Sequence, residues 1–473
     1  MTRIRTNILP LTVALALLME MIDSTVLSTA IPVVSEDLGV PVLALKMALA
    51  TYLIALAALV PVSGWIADRF GARRTFVAAM AVFLIASVLC AMQNGLTGLV
   101  LARALQGAGG AMMTPVGRLI VLRNTEKASL VRALSWVTVP ALVGPAIGPF
   151  VGAVVTASLG WRWIFLINLP FGLLAIALAL RFLPRDGAPV DTPFDQAGFV
   201  LSAAGLVLAM AGLTSLGEHI VPTPVALAVS AAGALLLVLY GLRARRRSDS
   251  LLDPRLFRYR TFSAGIVGGV LFRLSSGAVS LLLPLLFQIG LGMSILASGA
   301  LSGLNAVGAL GIRAIAPRLL DRFGFRRVLV AASVTRGLTV AGFATVGSPW
   351  DLHVIPLLLI GGVAQALVFT AANSMVFADL APEEMSRGTS FSSVAQQVGL
   401  TLGIALAGLT LELAAGSVGT SGIPLPAFAI AFVTMGLAGP AAALVFLRLR
   451  PSDADSLRRR IAPRDGAAAR PAP

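Results

Sequence analysis

Charge is scarce in this chain. Asp, Glu, Lys and Arg make up 12% of its 473 residues, about half the share that a soluble domain carries. That excludes a water-soluble globule. Cysteine is rarer still: the single thiol, Cys90, lies inside an apolar run. Neither an intrachain disulfide nor a Cys-based metal site is therefore available within one chain. Histidine occurs only at His219 and His353, both in loops between apolar runs. An enzyme needs His pairs, a metal cluster or Ser with a base, and little here can supply them. We expect no enzyme, no metal and no cofactor. Tyrosine is limited to 3, and Trp65, Trp161, Trp163 and Trp350 sit near the ends of apolar runs, where membrane interfaces place Trp.

What the chain has instead is hydrophobic length. Apolar residues make 57% of it and its mean hydropathy is +0.92. A helix crosses a hydrocarbon core with about 20 apolar residues, and the runs between charged loops are mostly that long. The chain reads as an all-α polytopic membrane protein with the lipid bilayer as its surroundings. Its net charge of +15 is topology rather than a nucleic-acid surface, because cytoplasmic loops collect Lys and Arg.

Fourteen spans are expected. Six are Ile8–Val33, Val42–Trp65, Thr75–Met92, Leu99–Ile120, Val131–Ala157 and Trp163–Leu183. Two follow at Phe194–Leu216 and Pro224–Leu242. Six more are Thr261–Gln288, Ile295–Ala316, Val328–Val346, Val354–Phe377, Thr389–Leu413 and Ala427–Leu447. With the N-terminus inside, Arg69, Arg73, Arg74, Arg123, Lys127, Arg181, Arg185, Arg243 to Arg247, Arg322, Arg326, Arg327 and Arg387 all fall on the cytoplasmic side. The external loops keep only Arg162, with Lys46 at one edge, and both termini are cytoplasmic. The first apolar run holds Glu20 and Asp23, which a cleaved signal peptide would not carry. The organisation is a six-helix bundle over 1–186, two inserted spans over 187–247, a second six-helix bundle over 248–450 and a disordered cytoplasmic tail over 451–473. The inserted pair carries almost no charge and is expected at the periphery, facing lipid.

The chain also repeats itself. Asp68-Arg69-Phe70-Gly71-Ala72-Arg73-Arg74 recurs as Asp321-Arg322-Phe323-Gly324-Phe325-Arg326-Arg327, each time after the second span of a six-span block. A basic loop explains the arginines but not the Asp, Phe and Gly in register, so the repeat marks duplication. Within it, Gly71 permits a tight turn, and Asp68 can cap a helix or pair with Arg73 or Arg74.

Glu20 and Asp23 are three apart on one helix face, roughly 18–23 Å in from the cytoplasmic end. Arg103 enters from the other side to a similar depth. Charges at that depth must be paired, protonated or facing water. They serve either proton transfer or a static ion pair that fixes helix register. Gly144, Gly148 and Gly152 make one bare helix face, bent by Pro145 and Pro149, suited to tight packing or to a rocking contact between the halves. In the second half Arg273, Arg313 and Arg336 lie within spans, while the one acid clearly inside a span is Glu412. Gln288, Asn305, Gln365, Asn373, Gln396 and Gln397 can line the same cavity, and Met19, Met21, Met112 and Met113 can offer it an adaptable apolar surface.

These residues resemble the major facilitator superfamily, in its fourteen-span drug:proton antiporter branch. Gly64 to Arg74 is similar to the family's cytoplasmic-gate motif. Asp23 to Pro32 is similar to the signature of the branch's first span, with Ser28 where Asn is usual. Leu101 to Ala111, containing Arg103 and Gln106, resembles the proton-coupling motif. Gly144 to Gly152 resembles the antiporter motif, and Trp161 to Pro170 a further branch signature. The resemblance implies two six-helix bundles plus two extra central helices. It implies Arg103 as the coupling arginine, Asp23 as the family acid and Glu20 as a substrate or second-proton group. Gly64, Asp68, Arg69, Gly71, Arg73 and Arg74, with Asp321, Arg322, Gly324, Arg326 and Arg327, become the gate. The implied protein is a monomeric, proton-coupled exporter of small amphipathic molecules in a bacterial plasma membrane, working by alternating access. The rival cargo is an organic anion or its metal chelate held by Arg273. Sodium coupling stays open, and a receptor would need no coupling pair.

Overall fold

The computed structural model describes residues 2–125, 140–184, 186, 194–216, 221–247, 250–312, 315–381, 384–416, 423–450 and 453, and every regular element among them is helical. In order these are α1 (Thr2–Leu38), α2 (Val42–Phe70), α3 (Ala72–Ala91), α4 (Leu96–Asn124), α5 (Pro140–Leu159), α6 (Trp163–Phe182), α7 (Gln196–Thr214), α8 (Thr223–Ala244), α9 (Arg260–Gly290), α10 (Ile295–Gly311), α11 (Phe325–Thr345), α12 (Val354–Met375), α13 (Met385–Ala415) and α14 (Leu425–Leu447). A short helix, Ala316–Phe323, links α10 to α11. Lys127, Arg185, His219, Arg313, the start of the expected fifth span and nearly all of the tail lie outside the described residues.

Eleven of these helices are long and apolar enough to cross a membrane, and α10 with its short continuation makes a twelfth. The chain is a multi-pass membrane protein. Among the described residues α4 and α5 do not meet that measure, although they stand fourth and fifth in order.

Helices α1 to α6 pack on one another, and so do α9 to α14. The halves meet where α5 lies on α10 and α2 on α13, with α1 touching α9 and α10. One apolar core runs through the first half and continues into the second through Leu281, Phe287, Leu411, Phe428 and Phe432, on the side away from the arginine loops. On the arginine side the second half has a core of its own, built on Phe272, Phe325, Leu329 and Phe446. The seam is therefore sealed at one end. Polar contacts close that end further: Gln288 Nε2 donates to the Thr29 carbonyl at 2.9 Å, and Lys46 Nζ lies 3.7 Å from Glu412 Oε2.

The repeated charged loop takes the same shape twice. Ser63–Phe70 and Ala316–Phe323 both end at a glycine with positive φ, Gly71 at 96° and Gly324 at 79°, and the next helix starts at once. An L-residue with a Cβ is strained there.

Two expectations are revised by the packing. The bare face of α5 does not meet the other half. Gly144, Gly148 and Gly152 press on Met21, Thr25 and Val26 of α1, within the first half. The contact with the second half comes from the opposite face, where Pro149, Phe150 and Ala153 lie against Gly299 of α10. Glycine is needed where the backbones of α1 and α5 touch, and Pro149, Phe150 and Ala153 face the seam. The inserted pair is also not uniformly peripheral. α8 exposes Leu227, Leu235, Val238 and Leu242, but α7 lies against both α2 and α13.

Candidate functional site

The first half holds a fully enclosed polar cluster. Asp23 of α1 receives three hydrogen bonds: Arg103 Nη1 donates to Oδ2 at 2.7 Å, Gln106 Nε2 to Oδ1 at 2.9 Å and Asn168 Nδ2 to Oδ1 at 2.7 Å. Gln106 Oε1 accepts from Arg103 at 2.6 Å, and its amide also donates to Ser87 Oγ at 2.8 Å. Arg103 additionally stacks over Tyr52, 4.3 Å from the ring centre. Asp23, Arg103, Gln106 and Ser87 have no exposed surface. Helical spacing puts Arg103 and Gln106 on one face of α4, so both reach α1 together, while Asn168 starts the second part of α6 and closes the cluster from behind.

An ionised carboxylate is tolerated in such a place only when its lone pairs are filled, and here three donors fill them. Arginine does not give up its proton in proteins, so a proton that reaches this cluster resides on Asp23. Protonation removes the charge that holds α1 to α4 and α6.

Glu20 lies one turn away but outside this cluster. It is buried, accepts from Thr114 Oγ1 at 3.0 Å and lies near enough to Arg118 to feel its charge, although no cation makes an ion pair with it among the described residues. Met112 is buried on α4.

In the second half Arg273 is 6% exposed and has only uncharged company. It donates to the Asn373 side chain at 2.8 Å and to the Gly269 carbonyl at 3.2 Å, and its guanidinium sits 5.3 Å from the Phe369 ring centre. Asn305 donates to Gln365 at 3.2 Å. Gln397 is part-buried with a carbonyl oxygen that no described donor reaches. Gln288 belongs to the seam rather than to this group.

The gate residues are arranged differently from the simplest pairing. Asp68 takes Arg123, at the end of α4, at 2.6 Å instead of Arg73 or Arg74. The turn at Gly71 carries Arg73 and Arg74 to the first turn of α3, where unpaired backbone N–H groups attract an acid. Asp186 fills that role, accepting from the Arg73 N–H at 2.8 Å and the Arg74 N–H at 3.1 Å, while the Arg73 guanidinium caps the Leu180 carbonyl. In the second copy Arg322 stacks on Phe323, and Asp321, Arg326 and Arg327 flank Gly324 along the chain. Gly64 and Arg69 lie on the short helix before the turn. The Pro145 side chain is outside the described set.

Sequence reasoning missed Asn168, Thr114, Arg118, Tyr52 and Asp186 as partners. Asn168 and Arg118 carried a usable signal, being an amide and a cation within apolar runs. Tyr52, Thr114 and Asp186 carried none.

Comparison with known proteins gives a consistent picture. The model of the Major Facilitator Superfamily matches residues 13–375 and 265–470. Relatives named for multidrug resistance, MdtD of Salmonella heidelberg (strain SL476) and of Shigella flexneri serotype 5b (strain 8401), are each 37% identical, over 406 and 403 residues, with 85% of both chains covered. Among solved structures, the nucleoside transporter NupG superposes with a TM-score of 0.64 at 14% identity, covering 94% of this chain and 99% of that one. A POT family transporter in complex with 5-aminolevulinic acid gives 0.69 at 14%, covering 96% of each.

Proposed function

The chain belongs to the Major Facilitator Superfamily, and from that premise we propose that it is a proton-coupled exporter of small amphipathic molecules, working by alternating access as a monomer in a bacterial inner membrane with both termini in the cytoplasm. It is a transporter, not an enzyme. The observation that carries proton coupling is the enclosed Asp23–Arg103–Gln106–Asn168 cluster. A carboxylate whose three donors come from α4 and α6 ties the helices of one bundle together when ionised and loosens them when protonated. That is the link between a proton and a change of shape which antiport requires. A proton falling through the membrane potential supplies about 2.3 kcal/mol per 100 mV, enough to shift a bundle equilibrium by more than tenfold.

The sealed seam supports a conformation open toward the arginine loops, which the positive-inside rule puts in the cytoplasm. Substrate would enter there, between the halves, and leave after the Lys46–Glu412 and Gln288–Thr29 contacts part. The relatives' names favour drug-like cargo.

The test is proton movement in proteoliposomes that enclose a pH dye, with sodium absent. Lipophilic amines added to one side are expected to drive proton exchange in the native protein and none in Asp23→Asn. Exchange that persists in Asp23→Asn, or that appears only when sodium is supplied, would remove proton coupling through this cluster.

A further inference from the structure

The two halves share a register. Glu20 and Arg273 stand equally far along the chain before their turn glycines, Gly71 and Gly324, and so do Tyr52 and Asn305. Packing carries the register to the fourth helix of each half. Gly107 of α4 presses on the Tyr52 carbonyl, and Gly362 of α12 presses on the Asn305 carbonyl. Counted from those two glycines, Arg118 matches Asn373, Thr114 matches Phe369 and Gly110 matches Gln365. Contacts match as well: Tyr52 faces Gly110 in one half, and Asn305 bonds Gln365 in the other.

Within this frame one position has reversed its charge. Glu20 faces Thr114 and Arg118 in the first half, while Arg273 faces Phe369 and Asn373 in the second. Asp23 has no acidic counterpart, since its position is Ser276. Equivalent positions on α1 and α9, two helices that touch at the seam, therefore present a carboxylate and a guanidinium at equal depth. Arg273 is more than nine-tenths buried and meets no carboxylate among the described residues. A buried cation without a counter-charge is strongly disfavoured unless something negative visits it.

We propose that the cargo is zwitterionic, with its cationic group received by Glu20 in the first half and its anionic group by Arg273 in the second. This rests on the reading of the chain as an exporter that binds its cargo between the halves. Either charge alone would satisfy one half and leave the other half's buried charge unmatched. A molecule that carries both bridges the halves and stabilises the state in which they close on it.

Three probes with one ring system separate the cases: naphthylethylamine carries the cation, naphthylpropionate the anion and naphthylalanine both. Binding is measured by titration on purified full-length protein in detergent, without a gradient. Naphthylalanine should bind at least about tenfold more tightly than either singly charged probe, the scale of one desolvated charge contact. Arg273→Gln should lower naphthylalanine binding about tenfold without changing that of the amine, which also shows that the variant is folded. Glu20→Gln should do so without changing that of the propionate, and Arg273→Lys should recover part of the loss. The proposal is overturned if naphthylalanine has no advantage, if none of the three binds, or if Arg273→Gln weakens all three alike. Binding selectivity without proton movement in liposomes would remove proton coupling and leave this site standing. Proton exchange driven by amines, together with no binding advantage for naphthylalanine, would do the opposite.

Discussion

Lys46 and Glu412 join the two halves of the transporter, their charged groups 3.7 Å apart on α2 and α13. Lys46 has no exposed surface, and its ammonium also donates to the Leu216 carbonyl just after α7 at 3.2 Å. One side chain thus ties α2, α13 and an inserted helix at the sealed end of the seam. Lys46→Met keeps most of the stem and removes the charge. Because Glu412 is about a fifth exposed, the loss should be modest, about 1–2 kcal/mol. The population with the seam open at this end should rise about tenfold. Spin labels at Met92 and Trp350, both exposed near that end, would report it as a longer-distance component. An unchanged distance distribution would show that the pair does not hold the seam.

Much of this architecture was legible because a membrane restricts the chain severely. A span must be apolar for about 20 residues, so Glu20, Asp23, Arg103 and Arg273 stand out wherever they occur. Partner choice was less legible. Asp68 pairs with Arg123 rather than Arg73, and Gly148 meets Thr25 of α1 rather than the second half, because both outcomes depend on how helices distant in sequence are laid together. Neither local spacing nor periodicity carries that information. The duplication was the exception, since one repeated turn also revealed the register that sets Glu20 against Arg273.

Asn168 is a positioning residue for Asp23. Its amide, at 2.7 Å, is one of three donors to an enclosed carboxylate, and hydrogen bonds to charged groups contribute about 1.5–3 kcal/mol. Asn168→Leu should slow substrate-driven proton exchange about tenfold or more, while Asn168→Ser keeps part of it through the small polar group. The fully buried Cys90, 3.7 Å from Gln106 Oε1, supplies a second readout. It should resist a membrane-permeant maleimide in the native protein and react faster in Asn168→Leu as the cluster loosens. Equal labelling and equal exchange in the two proteins would show that Asp23 does not need this amide.

The turn at Gly71 is a second sensitive point. Its φ of 96° disfavours any Cβ by about 1–2 kcal/mol, and a methyl group there would also overlap the Asp186 carboxylate. Gly71→Ala should lower the thermal unfolding temperature of the purified protein and free the first turn of α3 from its acid. In an Asp186→Gly background the same change should cost less, because the carboxylate and the Cβ that the methyl would overlap are both gone and only the backbone strain remains. Strict additivity of the two substitutions would mean that Asp186 and Gly71 act independently.

Acid should loosen the inserted helices through Asp195. Burial works against the charge of this carboxyl. The hydrogen bond from Arg243 Nη2 at 2.8 Å, that from the Gly198 N–H at 3.1 Å, and the charges of Arg243 and Arg247 outweigh it and hold the group below its ordinary value. A folded carboxyl that is more acidic than the unfolded one, near 3.9, stabilises the fold fully above that unfolded value. It loses this contribution as pH falls through the folded value. Asp195→Asn should therefore unfold at a lower temperature than the native protein near pH 7, by an amount equivalent to about 1 kcal/mol. The gap should narrow below about pH 4 as the native carboxylate takes up its proton. Other acids titrate over the same range but do so in both proteins, so the difference between the two melting curves isolates this group. Curves that stay equally far apart through the acid range would assign the neutral-pH loss to shape rather than charge.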